Sequence, residues 1–202
     1  SRGRQESVAE HCWQMALMAI VISRYLEKPV HIEHVLKMIL LHDLIEAETG
    51  DIPFFENSSR HAMKAEREQL AIKNIRAMLP EPLGDEIYRV WQEFEAGTTP
   101  EARFVKALDH LEVQLQHNRA DLQTWQPIEY ELVYTKMDAS CQHDTFLTML
   151  CEAIKQDAED KLLAGGIDLG HVKARIRKRS VSFESRYAGN RMRNEKTQDG
   201  KM

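Results

Sequence analysis

Ile39-Leu40-Leu41-His42-Asp43-Leu44-Ile45-Glu46-Ala47-Glu48-Thr49-Gly50-Asp51 is the stretch on which the fold reading turns. Val35, Met38, Ile39, His42 and Ile45 recur at helical spacing, so residues 32 to about 48 are expected to form a helix that stops near Gly50 and carries an imidazole on its apolar stripe. An imidazole facing a core needs a partner. Asp43 projects about 100° further round the same helix, so both side chains can grip one ion from one rigid backbone. A His-Asp pair alone carries little weight, because a lone core histidine is usually just hydrogen-bonded. The chain holds a second pair, His143-Asp144, at the polar start of a helix, where a cap is the simpler reading. What sets His42-Asp43 apart is its mid-helix position on an apolar face, with Glu46 one turn later and Asp51 just beyond the helix.

Working outward, Ser7-Val8-Ala9-Glu10 has the form of a capping box and should open a helix running to about Glu27, ahead of Pro29. Val8, Met15, Leu17, Met18, Val21, Ile22 and Leu26 cover so much of its circumference that it is expected to lie mostly inside, with His11 on the face of Met15, Met18 and Ile22. Downstream, Pro53-Phe54-Phe55 reads as a loop. Ser58 to Leu79 and Leu83 to Ala96 read as helices, the second ended by Gly97. Thr98-x-x-Glu101, with Pro100 early in the turn, opens another reaching roughly to Leu122, on which Asp109 lies between Val105 and Val113. Trp125 to Gln142 fits helix or extended chain; Asp144 to Ala164 is helical, closed by Gly165-Gly166. With no strand-period alternation of useful length, the expected fold is all-α: a compact single-domain helical bundle over residues 1–170, followed by a basic, flexible tail over 171–202.

Composition sets limits. A chain of 202 residues, 43% hydrophobic, can bury one substantial core but not two. A net charge of -5 provides no general field for nucleic acid, although Lys and Arg concentrate after Gly170. Three cysteines without C-x-x-C spacing argue against a disulfide framework or a thiolate zinc site and fit a reducing cytoplasm. The apolar run Met15 to Ile22 is far below the ~20 residues of a membrane span.

His11, His42, Asp43 and Asp109 thus supply two imidazoles and two carboxylates at positions where polar groups are expensive, the donor set of a borderline or hard divalent ion. Glu6-Ser-Val-Ala-Glu-His11, His42-Asp-Leu-Ile-Glu46-Ala-Glu-Thr-Gly-Asp51-Ile-Pro53 and Lys106-Ala-Leu-Asp109 together resemble the HD-domain metal-dependent phosphohydrolases of the 5'-deoxynucleotidase branch. The resemblance implies that His11, His42, Asp43 and Asp109 are metal ligands for one divalent ion (Mn, Co, Fe, Mg or Zn) and that Glu46 and Asp51 are catalytic carboxylates. It implies a (deoxy)nucleoside 5'-monophosphate as substrate and a homodimer. Lys106, one turn before Asp109, and Arg4 near the chain start are the candidate cations for substrate phosphate. The competing expectations are another reaction of the same superfamily, on nucleotide di- or triphosphates or phosphodiesters, and a non-catalytic nucleotide-binding protein. His61 is the only histidine between Asp43 and Asp109, which favours one ion and a small monoester.

Overall fold

The computed structural model describes residues 6–46 and 64–178. Arg4, Asp51, the expected loop at Pro53, the expected helix start at Ser58 and the tail from 179 onward lie outside the described residues. Within them the elements are α1 (Val8–Ile22), α2 (Ile32–Leu41), α3 (Lys64–Met78), α4 (Leu83–Ala96), α5 (Pro100–Arg119), the short α6 (Glu129–Leu132) and α7 (Asp138–Cys141), α8 (Thr145–Ala164), and α9 over residues 169–178. Among the described residues there is no strand.

The capping box forms as expected. Glu10 N–H donates to Ser7 Oγ at 3.3 Å, and Ser7 N–H donates to Glu10 Oε2 at 3.0 Å, which fixes where α1 starts and so where His11 points. Regular α1 ends at Ile22 and tightens into a 3-10 turn, Ser23–Tyr25, before Pro29. Its burial is narrower than the composition predicts. His11, Cys12, Met15, Ala19 and Ile22 face inward, whereas Trp13 is 67% exposed and Leu17, Ile20 and Val21 are each about half exposed. Apolar content alone therefore overstates the burial of this helix, because the row of large apolar residues Trp13, Leu17 and Ile20 is not covered by any other helix among the described residues.

Helix α5 is the hub. It packs against α1, α2, α4, α7 and α8, and its Phe104, Val105, Leu108 and Leu111 lie in one core with Met15 of α1, Val35, Met38 and Ile39 of α2, Val90 of α4, Met137 before α7 and Leu147 of α8. Thr99, not the expected Thr98, caps α5: its Oγ1 accepts the Ala102 N–H at 3.2 Å, with Pro100 in the first turn where its missing N–H costs nothing. Helix α4 ends on Gly97 at φ 60°, a left-handed conformation that glycine adopts without a Cβ penalty.

A second cluster, Ile45, Ala71, Ile72 and Trp91, joins α3 and α4 to the turn after α2. A third holds Trp125, Val133, Ala158 and Leu162 under Ile167 and Leu169. Around it the ambiguous stretch from Trp125 to Gln142 folds into the turns α6 and α7. Helix α9 crosses the boundary expected at residue 170: Val172 is buried, and Arg175 Nη2 reaches the buried Glu131 carboxylate at 2.5 Å.

The second His-Asp pair is structural. Asp144 Oδ1 accepts the Leu147 N–H at 3.1 Å as the cap of α8, and its Oδ2 accepts the Glu27 N–H at 2.8 Å, tying α8 to the chain just beyond the 3-10 turn that follows α1. Replacing Asp144 with Ala should destabilise the fold by about 1–2 kcal/mol, lowering the Tm by about 2–8 °C without changing metal content; calorimetry with metal analysis of the same sample checks both.

Candidate metal centre

Three helices deliver the predicted ligands to one place. His11 comes from the second turn of α1, His42 and Asp43 from the end of α2, and Asp109 from the middle of α5. His42 sits at a helix end, not mid-helix as the sequence reading had it: α2 is regular only to Leu41, then tightens, with Leu44 N–H on Leu41 O at 3.2 Å and Glu46 N–H on Asp43 O at 3.0 Å. The imidazole takes part in that change, since its Nδ1 lies 2.8 Å from the Ile39 carbonyl.

A carbonyl can only accept, so Nδ1 of His42 carries the proton and Nε2 presents a lone pair. That Nε2 is buried and makes no hydrogen bond, although Asp43 Oδ2 lies only 3.3 Å away. A lone pair facing a carboxylate is repulsive, and an unsatisfied buried polar atom costs about 1–3 kcal/mol; a cation between the two removes both penalties.

His11 repeats the arrangement. Its Nδ1 stands 2.6 Å from the carboxylate of Glu112, which is 1% exposed, and its Nε2 faces Asp109 Oδ1 at 3.4 Å and Asp43 Oδ2 at 3.9 Å. The two imidazole rings are 5.6 Å apart, and ligand atoms of His11, His42 and Asp109 all lie within 4.8 Å of one another. Donors, spacing and the orphaned His42 Nε2 fit a divalent cation held by His11, His42, Asp43 and Asp109.

The local charge asks for the same thing. Burial lowers the pKa of His11, but hydrogen bonds and charge from Asp109 and Glu112 outweigh it and hold the imidazolium up to about 10. Burial raises the Asp109 carboxyl, and the hydrogen bond from His11 with the nearby histidines brings it below the usual range. In effect a proton occupies the place a metal ion takes by displacing it. Cys12, next to His11, turns away: its Sγ donates to Ile39 O at 3.3 Å, and burial, then the charges of Asp43, Asp109 and Glu46, push the thiol up to about 11. Glu46 follows His42 by four residues, and its charge is the weakest of the three that act on the Cys12 thiol.

Glu112, the buried partner of His11, is the member of the candidate site that the sequence alone does not single out. Its signal is an acidic residue three positions after Asp109, directly after Leu111 and four positions after Leu108, both fully buried on α5. A buried carboxylate on the far nitrogen of a ligating histidine fixes its tautomer and raises its basicity. Glu6, in the Glu6-to-His11 motif, accepts hydrogen bonds from Gln14 Nε2 at 2.9 Å and from Gln116, pinning the start of α1 to α5.

Lys106 lies at the edge of the site. Its ammonium donates to Glu95 O at 3.2 Å at the end of α4 and rests 4.9 Å from the centre of the Phe94 ring, whose edge meets His42 at 5.1 Å. Its stem crosses Gly97, where a Cβ would come within 3.2 Å of Lys106 Cε.

Residues 1–148 match the HD domain family. The 5'-deoxynucleotidase HDDC2 of Danio rerio is 32% identical over 161 residues, covering 80% of this chain and 78% of that protein. The Homo sapiens protein of the same name is 32% identical over 149 residues, covering 74% and 71%. Among solved structures, the predicted metal-dependent phosphohydrolase from Magnetospirillum magnetotacticum MS-1 superposes with a TM-score of 0.66 at 28% identity, covering 82% of each chain. The PH0347 protein from Pyrococcus horikoshii OT3 shares the fold, with a TM-score of 0.55 at 24% identity over 77% of this chain and 87% of its own. A family match over 148 of 202 residues, on a helical frame that converges two imidazoles and two carboxylates, leads to one assignment: the chain belongs to the HD-domain family.

Proposed function

We propose that this protein is a metal-dependent 5'-deoxynucleotidase that hydrolyses deoxynucleoside 5'-monophosphates to nucleoside and inorganic phosphate. The observation that carries this reading is the pair of Nε2 atoms and two carboxylates meeting from α1, α2 and α5, in a chain whose relatives bear that activity in their names. One divalent ion held by His11, His42, Asp43 and Asp109 is the cofactor. Such an ion supplies Lewis acidity, lowering the pKa of water and polarising a phosphoryl oxygen.

The protein's own residues do the rest. Glu112 and the Ile39 carbonyl hold the His11 and His42 rings by their far nitrogens, so both Nε2 atoms stay aimed at one point. Glu46 and Asp51 form the acid-base pair, one orienting and deprotonating water, the other protonating the departing O5'. Phosphate monoesters are among the slowest substrates to hydrolyse unaided, so aligned water and leaving-group protonation are both needed. Lys106 and Arg4 supply cations toward the substrate phosphate.

We also infer a homodimer formed through the outer face of α1, where Trp13, Leu17, Ile20 and Val21 make an exposed apolar stripe. A reducing cytoplasm is the compartment that suits three free, buried cysteines. Among the described residues no helix is long and apolar enough to cross a membrane.

Three outcomes test these statements. His42→Ala should lose bound metal and turnover together, whereas Glu46→Ala should keep the metal and lose about 10²–10⁴-fold in kcat; phosphate release and metal content measured on one preparation separate the two, and a Glu46→Ala variant at full rate contradicts its role. Glu112→Gln should weaken metal affinity by about 10–100-fold, read by competition with a chromogenic chelator. The wild-type chain should elute at twice its chain mass in light scattering and Trp13→Glu at the chain mass; a monomeric wild type contradicts the dimer.

A further inference from the structure

In the motif Glu6-Ser7-Val8-Ala9-Glu10-His11 the capping box accounts for Ser7 and Glu10, and His11 faces the metal cluster. Glu6 does neither. Its Oε1 accepts one side-chain amide from each of two helices: Gln14 Nε2 of α1 at 2.9 Å, and Gln116 Nε2 of α5. Gln14 follows His11 by three residues and Gln116 follows Glu112 by four, so each amide shares a helix face with one member of the His11–Glu112 pair. Arg119, three residues beyond Gln116, donates from Nη1 to Gln14 Oε1 at 3.2 Å. A guanidinium can only donate, so the Gln14 oxygen faces Arg119 and its NH2 faces Glu6.

These contacts form successive polar rungs between α1 and α5. The first is His11 Nδ1 with Glu112 Oε2 at 2.6 Å, the next is Glu6 with both glutamines, and the last is Arg119 with Gln14. The first two adjoin, since one ligand atom each from Glu6, His11 and Glu112 lies within 4.8 Å of the other two. Glu112 is almost wholly buried and its Oε1 makes no hydrogen bond, so the bond to His11 fixes the direction of that carboxylate. A hydrogen bond weakens steeply with misalignment, so this one tolerates little drift between the helices. Met15, Leu108 and Leu111 hold α1 and α5 together in one apolar cluster, but apolar burial is non-directional. An oxygen that takes one amide from each side sets both spacing and offset.

We propose that Glu6 is a positioning residue: by drawing Gln14 and Gln116 onto one oxygen it sets the α1–α5 spacing at which Glu112 meets His11 Nδ1, and so the aim of His11 Nε2. Glu6 acts here as an acceptor and not as a charge, because the two amides need only an acceptor. Glutamine at this position supplies one; alanine does not. The consequence for metal binding rests on the reading of His11 as a ligand, but the His11–Glu112 hydrogen bond is measurable with no metal present.

The experiment is proton–nitrogen correlation NMR of the full chain with labelled histidines, freed of metal by chelation, on wild type, Glu6→Ala and Glu6→Gln, with Tm and manganese affinity measured on each. The His11 Nδ1–H proton, assigned by its loss in His11→Ala, should lie far downfield in wild type, as a short charge-assisted bond requires. In Glu6→Ala it should move upfield or exchange away, and manganese affinity should fall about tenfold, the lower end of what losing a support of a metal ligand costs. Glu6→Gln should restore both. An unchanged resonance in Glu6→Ala overturns the proposal even if the Tm falls, because the apolar core would then set the spacing by itself. So does a Glu6→Gln variant that behaves like Glu6→Ala, which would make the charge the agent. Should Glu6→Ala fail to fold, Gln116→Leu removes the α5 side of the rung and must shift the resonance in the same way. A resonance that responds to Glu6 in a chain that binds no divalent ion would sink the metal reading alone; tight manganese binding with a resonance indifferent to Glu6 would sink the Glu6 assignment alone.

Discussion

Two imidazole nitrogens and two carboxylates face one another across a few ångströms at the meeting of α1, α2 and α5, and that meeting, held together by the proton on His11 or by a metal ion in its place, is the constraint the rest of the structure obeys. Without a positive charge between them it is self-repelling. The apolar core holds this arrangement together: Met15, Met38, Ile39, Leu108 and Leu111 belong to one buried cluster that packs α1, α2 and α5 against one another and keeps the four groups close.

Rigidity of the backbone would be wasted if the rings could turn, and each ring is fixed at its far side by a different device. His42 uses a carbonyl of its own helix, at the cost of regular helical geometry after Leu41. His11 uses Glu112, a carboxylate buried almost completely at the centre of α5. That second device is the costlier one, because a buried charge is tolerated only while it is hydrogen-bonded. Both fix the tautomer that leaves Nε2 available.

Much of this was legible from residue order. The capping box located His11, the apolar stripe located His42, and the spacing around Asp109 put it on a helix face shared with core residues. Choosing His42-Asp43 over His143-Asp144 also followed from local chemistry, since an aspartate at a polar helix start does what Asp144 does here. What escaped was whatever depends on how helices pack. The composition of α1 shows how apolar it is, not which side meets a neighbour, and so Leu17 and Val21, expected inside, lie about half exposed. Glu112 owes its position to α5 crossing α1, a contact between residues 101 positions apart in the chain for which local periodicity holds no signal. The break after Leu41 arises because a side chain engages a backbone carbonyl, which a hydrophobic pattern cannot register.

The most direct test of the account is the position of the metal itself. A crystal soaked with manganese or cobalt, with anomalous scattering recorded at the metal edge, should show one peak bonded to His11 Nε2, His42 Nε2, Asp43 and Asp109 at about 2.0–2.3 Å, with Glu112 still on His11 Nδ1. A peak elsewhere on the chain, or one that leaves Asp109 or either imidazole out of bonding range, would contradict it.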